Sequence, residues 1–338
     1  MNEHTQPVYN KQVYYRLIAL WVICEAFAGG IMHGMKLPFS GLIVSSLAIT
    51  CIILIAYYIP SPSAIIKATV IVAIFKLMLS PHSPPTAYIA VFFQGLMGQL
   101  LLSNRRYFKA GAILLAVLAL VESAIQRILV LVIIYGNNLW KAVDSFLQKL
   151  THEKSPGNYS FMIAGGYIAL HALMGIFVGI YAVRLAKRSA SWKDTNPALV
   201  FDKKNIEREI IFQRNKKASK LKWIFVVIWL ALLALYVQSL LDTAHALFPK
   251  GIIADMLLRS ALIILSWYLI LGPLAMLLIK KIIRSQQEKK QADINEVMLL
   301  VPQTKYIFKQ SLQLSETASG YARIKLFLKI LLVNVLAD

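Results

Sequence analysis

The chain has little of what most often announces chemistry. Its 338 residues include two cysteines, Cys24 and Cys51, both inside apolar runs and at no metal-ligand spacing. That count and placement argue against a disulfide framework and a metal site. Six histidines are scattered, with no close pair. The motifs G-x-S-x-G, H-E-x-x-H, G-x-x-x-x-G-K-[ST] and G-x-G-x-x-G are absent. These are the signatures of a nucleophile elbow, a zinc protease, a phosphate loop and a dinucleotide site. The reading is therefore a non-enzyme with no cofactor and no metal, in which any ATP is bound by another chain. Acidic residues are also few: 16 Asp and Glu stand against 36 Lys and Arg, a net charge of +20. A nucleic-acid binder would gather that excess into a patch on a soluble fold. Here the cations fall between apolar segments, as the positive-inside rule requires of a membrane protein, so no nucleic acid partner is read.

What is abundant is apolar surface. Hydrophobic residues make up 58% of the chain and the mean hydropathy is +0.62, which reads as an all-α, polytopic membrane protein. Helices are predicted near 17–34, 40–59, 64–79, 86–102, 110–135 and 160–185. The first, with Lys11 and Arg16 before it and Ala26-Phe27-Ala28 near its end, has the outline of a signal peptide. Glu25 interrupts its core and further spans follow at once, so an uncleaved first helix fits better. The stretch that organises the rest is 60–98, where two apolar segments flank Ser80-Pro81-His82-Ser83-Pro84-Pro85. Three prolines cannot continue a helix, so the segments are separate spans joined by a rigid loop.

Charge sets the orientation. Arg105, Arg106 and Lys109 mark one connection as cytoplasmic, and Arg184, Lys187, Arg188 and Lys193 mark another. Both termini are then cytoplasmic. The connections 33–38, 80–85 and 136–159 are outside.

Three segments are predicted: a six-helix domain over 1–190, a basic linker over 191–221, and a C-terminal part over 222–338. The last opens with a transmembrane hairpin, Trp223–Leu241 and Leu257–Ile279, whose outer loop holds Asp242, His245 and Asp255. Beyond it Ile294, Val297, Val301, Ile307 and Leu312 recur at amphipathic helical spacing, with Pro302 as a break. Residues 321–332 interleave Arg323, Lys325 and Lys329 with large apolar side chains, an interfacial helix suited to lipid or to a partner's groove.

Ionisable groups inside apolar spans are costly and point inward by default. The candidates for solute binding are Glu25, His33, Lys76, His82, Gln94, Glu122, Gln126, Arg127 and His171. Glu122 and Gln126 share a helical face. Arg127 lies about 140° round from Glu122. The plainer alternatives are a structural pair between Glu25 or Glu122 and Arg127, and snorkelling of Lys67 and Lys76 to the interface. Gly30-x-x-x-Gly34, Gly175-x-x-x-Gly179 and Ala64-x-x-x-Ala68 permit close helix approach.

Six helices with both ends inside, outward loops and the segment from Ile65 through Ala90-Val91-Phe92-Phe93-Gln94-Gly95 to Gly98 resemble the S components of energy-coupling-factor transporters. The C-terminal part is similar to a shortened T component, although Ala322-Arg323 is followed by Ile324 where T components carry glycine. The resemblance implies a membrane subunit of an ATP-driven importer of a vitamin-like solute, working with separate ATPase subunits in the lipid of a bacterial inner membrane. In that reading Ala322, Arg323 and Phe327 couple to the ATPase. The alternatives are a non-transporting scaffold or sensor that recruits a partner through its basic C-terminal helices, and an integral enzyme acting on lipid through Glu122 and His171. Lys36, Lys76, His82 and Arg127 suit an anionic or zwitterionic solute, whereas Glu25 and Glu122 suit an amine or nitrogen heterocycle. Trp140 and Tyr159 offer stacking surfaces.

Overall fold

A computed structural model describes residues 10–28, 40–80, 83–151, 158–201, 258, 261–263 and 265–337. The predicted seventh span, the loop that follows it, most of the linker, His33, Lys36 and His82 lie outside the described residues.

Every regular element among the described residues is helical. Helix α1 spans Lys11–Val22 and runs directly into a π-helical stretch, Ile23–Ala28. Asn10 starts it by accepting hydrogen bonds from the amides of Gln12 and Val13 at 2.9 and 3.2 Å. Then come α2, Ser40–Tyr58, α3, Ala64–Leu79, and α4, Pro85–Leu102. Proline sets these boundaries: Pro60 follows α2, Pro81 follows α3, and Pro85 opens α4, where a missing amide costs nothing. After a 3₁₀ turn at Arg105–Tyr107, α5 covers Phe108–Tyr135. Gly136, at φ 67°, turns the chain into α6, Asn137–Thr151. Helix α7 spans Tyr159–Ser189, and a one-turn α8 spans Trp192–Thr195. In the C-terminal part a π-helical stretch, Trp267–Leu271, leads into α9, Gly272–Lys289, followed by α10, Gln291–Leu314, and α11, Gly320–Val335.

Two expectations are corrected here. The segment 136–159, predicted as an outer loop, contains α6. Its Leu139, Val143, Phe146, Leu147 and Leu150 recur at three- and four-residue steps, an amphipathic pattern. Pro302 does not break the C-terminal helix, because α10 continues through it. It sits on the exposed face, as does Met298, the residue whose carbonyl it leaves without an amide partner.

Four of the described helical segments are long and apolar enough to cross a membrane: Gly41–Tyr58, Pro85–Leu102, Arg105–Tyr135 and Tyr159–Ser189. The apolar windows of the last two are only 17% buried by the described protein.

The chain divides into two compact units, Met1–Leu120 with Leu173–Lys216 and Ile279–Asp338, and Val121–Ala172 with Lys217–Leu278. In the first, α1 is the buried centre: Leu17, Ile18, Ala19, Trp21 and Val22 are wholly enclosed. It packs on α2 and α3 and, on another side, along α10. Gly175 and Gly179 of α7 meet α5 closely, since an added Cβ would lie 2.6 Å from the Cα of Val117 and of Ile113. That is the contact their spacing predicts. In the second unit α6 folds back on the start of α7. Asp144 accepts from the amide and hydroxyl of Ser160 at 2.7 and 3.0 Å, and Trp140 stacks on Phe161.

A buried ion pair and the helices that hold it

The π-helical turn after α1 carries Glu25, the last turn of α3 carries Lys76, and the first turn of α4 carries Ala87 and Tyr88. The proline-marked break between α3 and α4 brings the last two groups together. Lys76 Nζ lies 2.8 Å from Glu25 Oε2, with the two side chains 6% and 4% exposed. It also donates to the Ala87 carbonyl at 3.3 Å and lies 6.0 Å from the centre of the Tyr88 ring. All three ammonium protons thus have a carboxylate, a carbonyl or an aromatic face to meet. Lys76 does not snorkel, and Glu25 pairs with it rather than with Arg127. A lysine this close to apolar neighbours is held inside because its counter-charge is there too.

On the helices that hold the pair, three buried polar atoms have no hydrogen-bond partner: Trp21 Nε1, Tyr88 Oη and Gln94 Oε1. Trp21 is one turn before Glu25. Tyr88 and Gln94 lie on the same buried stripe of α4, with Val91 between them. Gln94 spends its other end on Ser45 of α2, at 3.2 Å. Beside it an added Cβ on Gly95 would sit 2.0 Å from Thr69 Oγ1, so α4 approaches α3 closely here. Native interiors leave few such groups unsatisfied, and each costs about 1–3 kcal/mol. Cys24 and Cys51 are free thiols, also buried.

Glu122, Gln126, Arg127 and His171 fall in the second unit. Glu122 is partly buried with Oε2 unpartnered, and Arg127 is exposed. His171 is buried and donates from Nδ1 to the Tyr167 carbonyl at 2.9 Å, with its ring 4.3 Å from the Tyr167 ring. That bond leaves only Nε2 for any ligand.

The C-terminal candidates are partly engaged with their own chain. Arg323 pairs with Glu316 at 3.2 Å on the surface, and Ala322 is exposed. Phe327 packs edge-on against Phe308 at 5.2 Å. Of the face drawn from Ile324, Phe327 and Leu331, only Ile324 remains open, at 57% exposure.

Sequence reasoning missed where these helices dock. The Tyr15 hydroxyl donates to the Asp293 carboxylate, and the Arg16 guanidinium donates to the Ala337 carbonyl. Asn334 of α11 donates to the Leu199 carbonyl at 2.8 Å and accepts from the Phe201 amide at 2.7 Å, while Lys329 donates to Asn196 at 2.7 Å. One helical run, 11–28, therefore bears both the buried ion pair and the C-terminal helices.

The ends of this unit differ. Arg105 donates to the Tyr57 carbonyl at 3.2 Å, and the Tyr58 hydroxyl meets Ala186 and Ser189 of α7 at 3.2 and 2.9 Å. The Tyr14 hydroxyl reaches the Ala64 carbonyl, at the start of α3, at 2.8 Å. Lys76 is twelve residues further along that helix, roughly 18 Å away. Arginines and tyrosines collect at one end of the helices, and the ion pair lies toward the other. Compared with known proteins, the chain matches no family model, no curated protein and no solved structure.

Proposed function

We propose that the chain is a membrane subunit of an ATP-driven importer, capturing a small solute from the outer side and working with separate ATPase subunits. The observation that carries this reading is the shared helix. Glu25 and its unsatisfied polar neighbours lie toward one end of the run 11–28, while Tyr15 and Arg16 bind the C-terminal helices near its start. A solute that satisfies Trp21, Tyr88 or Gln94 rearranges groups around Glu25. The π-helical stretch next to it is a backbone form that commonly marks functional sites. Coupling then needs no long pathway, because the same helix touches α10 and α11.

The cationic end, with Arg105 on the Tyr57 carbonyl, Arg106 over the Tyr107 ring and Arg184, Lys187 and Arg188 exposed, fits a cytoplasmic face bounded by interfacial aromatics. The ion pair is then in the outer half of a polytopic six-helix domain with both termini inside. Helices α10 and α11 lie on the cytoplasmic side as the coupling elements, and Ala322, Tyr321 and Ile324 remain exposed for an ATPase. Arg323 can exchange Glu316 for a partner carboxylate, because an exposed pair is weakly held.

The test is metabolite profiling of energised cells that express the full chain with its ATPases. Wild type should accumulate one solute from the medium. The double variant Glu25→Gln/Lys76→Met, which removes both charges together, should not. Identical profiles for wild type and the double variant would overturn the transport reading.

A further inference from the structure

We infer that the solute taken at the Glu25–Lys76 site is uncharged and carries both a hydrogen-bond acceptor and a hydrogen-bond donor. This rests on the importer reading of that site. From the sequence alone Lys76 suits an anion and Glu25 suits an amine. At 2.8 Å, with both side chains almost fully enclosed, the two charges answer each other, and neither preference survives. The lysine's other contacts are the Ala87 carbonyl and the face of Tyr88, so it has no proton left over for a carboxylate or phosphate. An ionised solute would add a third buried charge beside a pair already neutral. A zwitterion would have to separate the pair to find partners.

What remains open is neutral hydrogen bonding. The Trp21 indole can only donate, so the solute must accept there. Gln94 has committed its amide nitrogen to Ser45, and its free carbonyl oxygen can only accept, so the solute must donate there. The Tyr88 hydroxyl meets either kind of group. These side chains are 0–1% exposed, so no bulk water competes with a bound solute for them. The aromatic rings of Trp21 and Tyr88 add flat apolar surface, which favours a planar ring over a chain.

The experiment isolates the full-length chain in lipid nanodiscs, together with Tyr88→Phe and Gln94→Leu variants. Small molecules released by organic solvent are identified by mass spectrometry against an unrelated membrane protein prepared in parallel. The expected result is one uncharged solute with both a donor and an acceptor, near-equimolar in wild type and about tenfold lower in each variant. An enriched solute that is ionised or zwitterionic at neutral pH overturns this inference and leaves the importer reading intact. No enriched solute removes the importer reading and the inference with it. A neutral solute kept equally by both variants also overturns the inference, since it binds elsewhere. Thermal unfolding supplies a second readout on Tyr88→Phe. Loss of a hydroxyl that has no protein partner should leave the solute-free protein at least as stable as wild type, whereas a clear fall would mean that the hydroxyl is held by the protein.

Discussion

Two apolar helices of this chain carry a carboxylate, and their surroundings are opposite. Glu25 lies in a run whose preceding turns are enclosed by protein, and a lysine from another helix comes to meet it. Glu122 lies on α5, where Ile125, Leu129 and Ile133 are about half exposed and Arg127 points into the open. A charge enclosed by packed helices is kept only with its counter-charge, whereas the half-buried Glu122 carboxylate has its Oε2 unpartnered. The contrast separates a carboxylate paired inside packed helices from one with an unpartnered oxygen on a helix whose apolar face is exposed. The largest expected effect breaks it directly. Lys76→Met strands the Glu25 carboxylate and should cost about 3–5 kcal/mol, seen as lost folded protein and recovered on adding Glu25→Gln. Glu122→Gln should change stability by about 0.5 kcal/mol or less. Denaturant unfolding in detergent checks both, and equal losses would erase the distinction.

A second comparison runs along α7. Gly175 and Gly179 face the α5 backbone, whereas Gly165 and Gly166 have nothing within 4 Å of an added Cβ. Gly175→Ala or Gly179→Ala should destabilise by about 1–3 kcal/mol through overpacking. Gly165→Ala should instead gain as much as about 1 kcal/mol from helix propensity. Thermal scans of the single variants would show the opposite signs.

Much of the helix pattern was legible, because prolines at 60, 81, 84 and 85 punctuate runs whose composition allows nothing else. Helices predicted at 40–59, 64–79, 86–102, 110–135 and 160–185 are present with ends shifted by a few residues at most. Helix α6 was passed over because its mixed composition reads as loop until its spacing is counted. The buried stripe of α10 was visible as Ile294, Val297, Val301 and Ile307, but a stripe does not name what it packs on. Its partner is α1, nearly three hundred residues earlier in the chain. Likewise Glu25, Lys76 and Gln94 stood out as polar groups in apolar runs. Nothing local paired Glu25 with Lys76, since their meeting depends on how three helices cross. Trp21 and Tyr88 were overlooked because aromatic residues in such runs read as core. Only their unsatisfied atoms set them apart.

Smaller effects sharpen the account of the C-terminal helices. Asn334→Ala removes the bonds to Leu199 and Phe201 and should cost about 1–2 kcal/mol, with faster amide exchange confined at first to α11. Arg323→Ala removes only an exposed pair with Glu316 and should move stability by about 0.5 kcal/mol or less. If Arg323→Ala proved the more damaging of the two, the surface pair and not the Asn334 clamp would hold α11.

The most direct measurement of the link between the ion pair and the C-terminal helices is amide hydrogen exchange on the full-length chain in nanodiscs, comparing wild type with Glu25→Gln/Lys76→Met. Neither substituted residue hydrogen-bonds to α10. The shared helix predicts altered exchange through 11–28 and also through 291–314. Exchange altered only in 64–102, with 291–314 unchanged, would contradict coupling through the first helix.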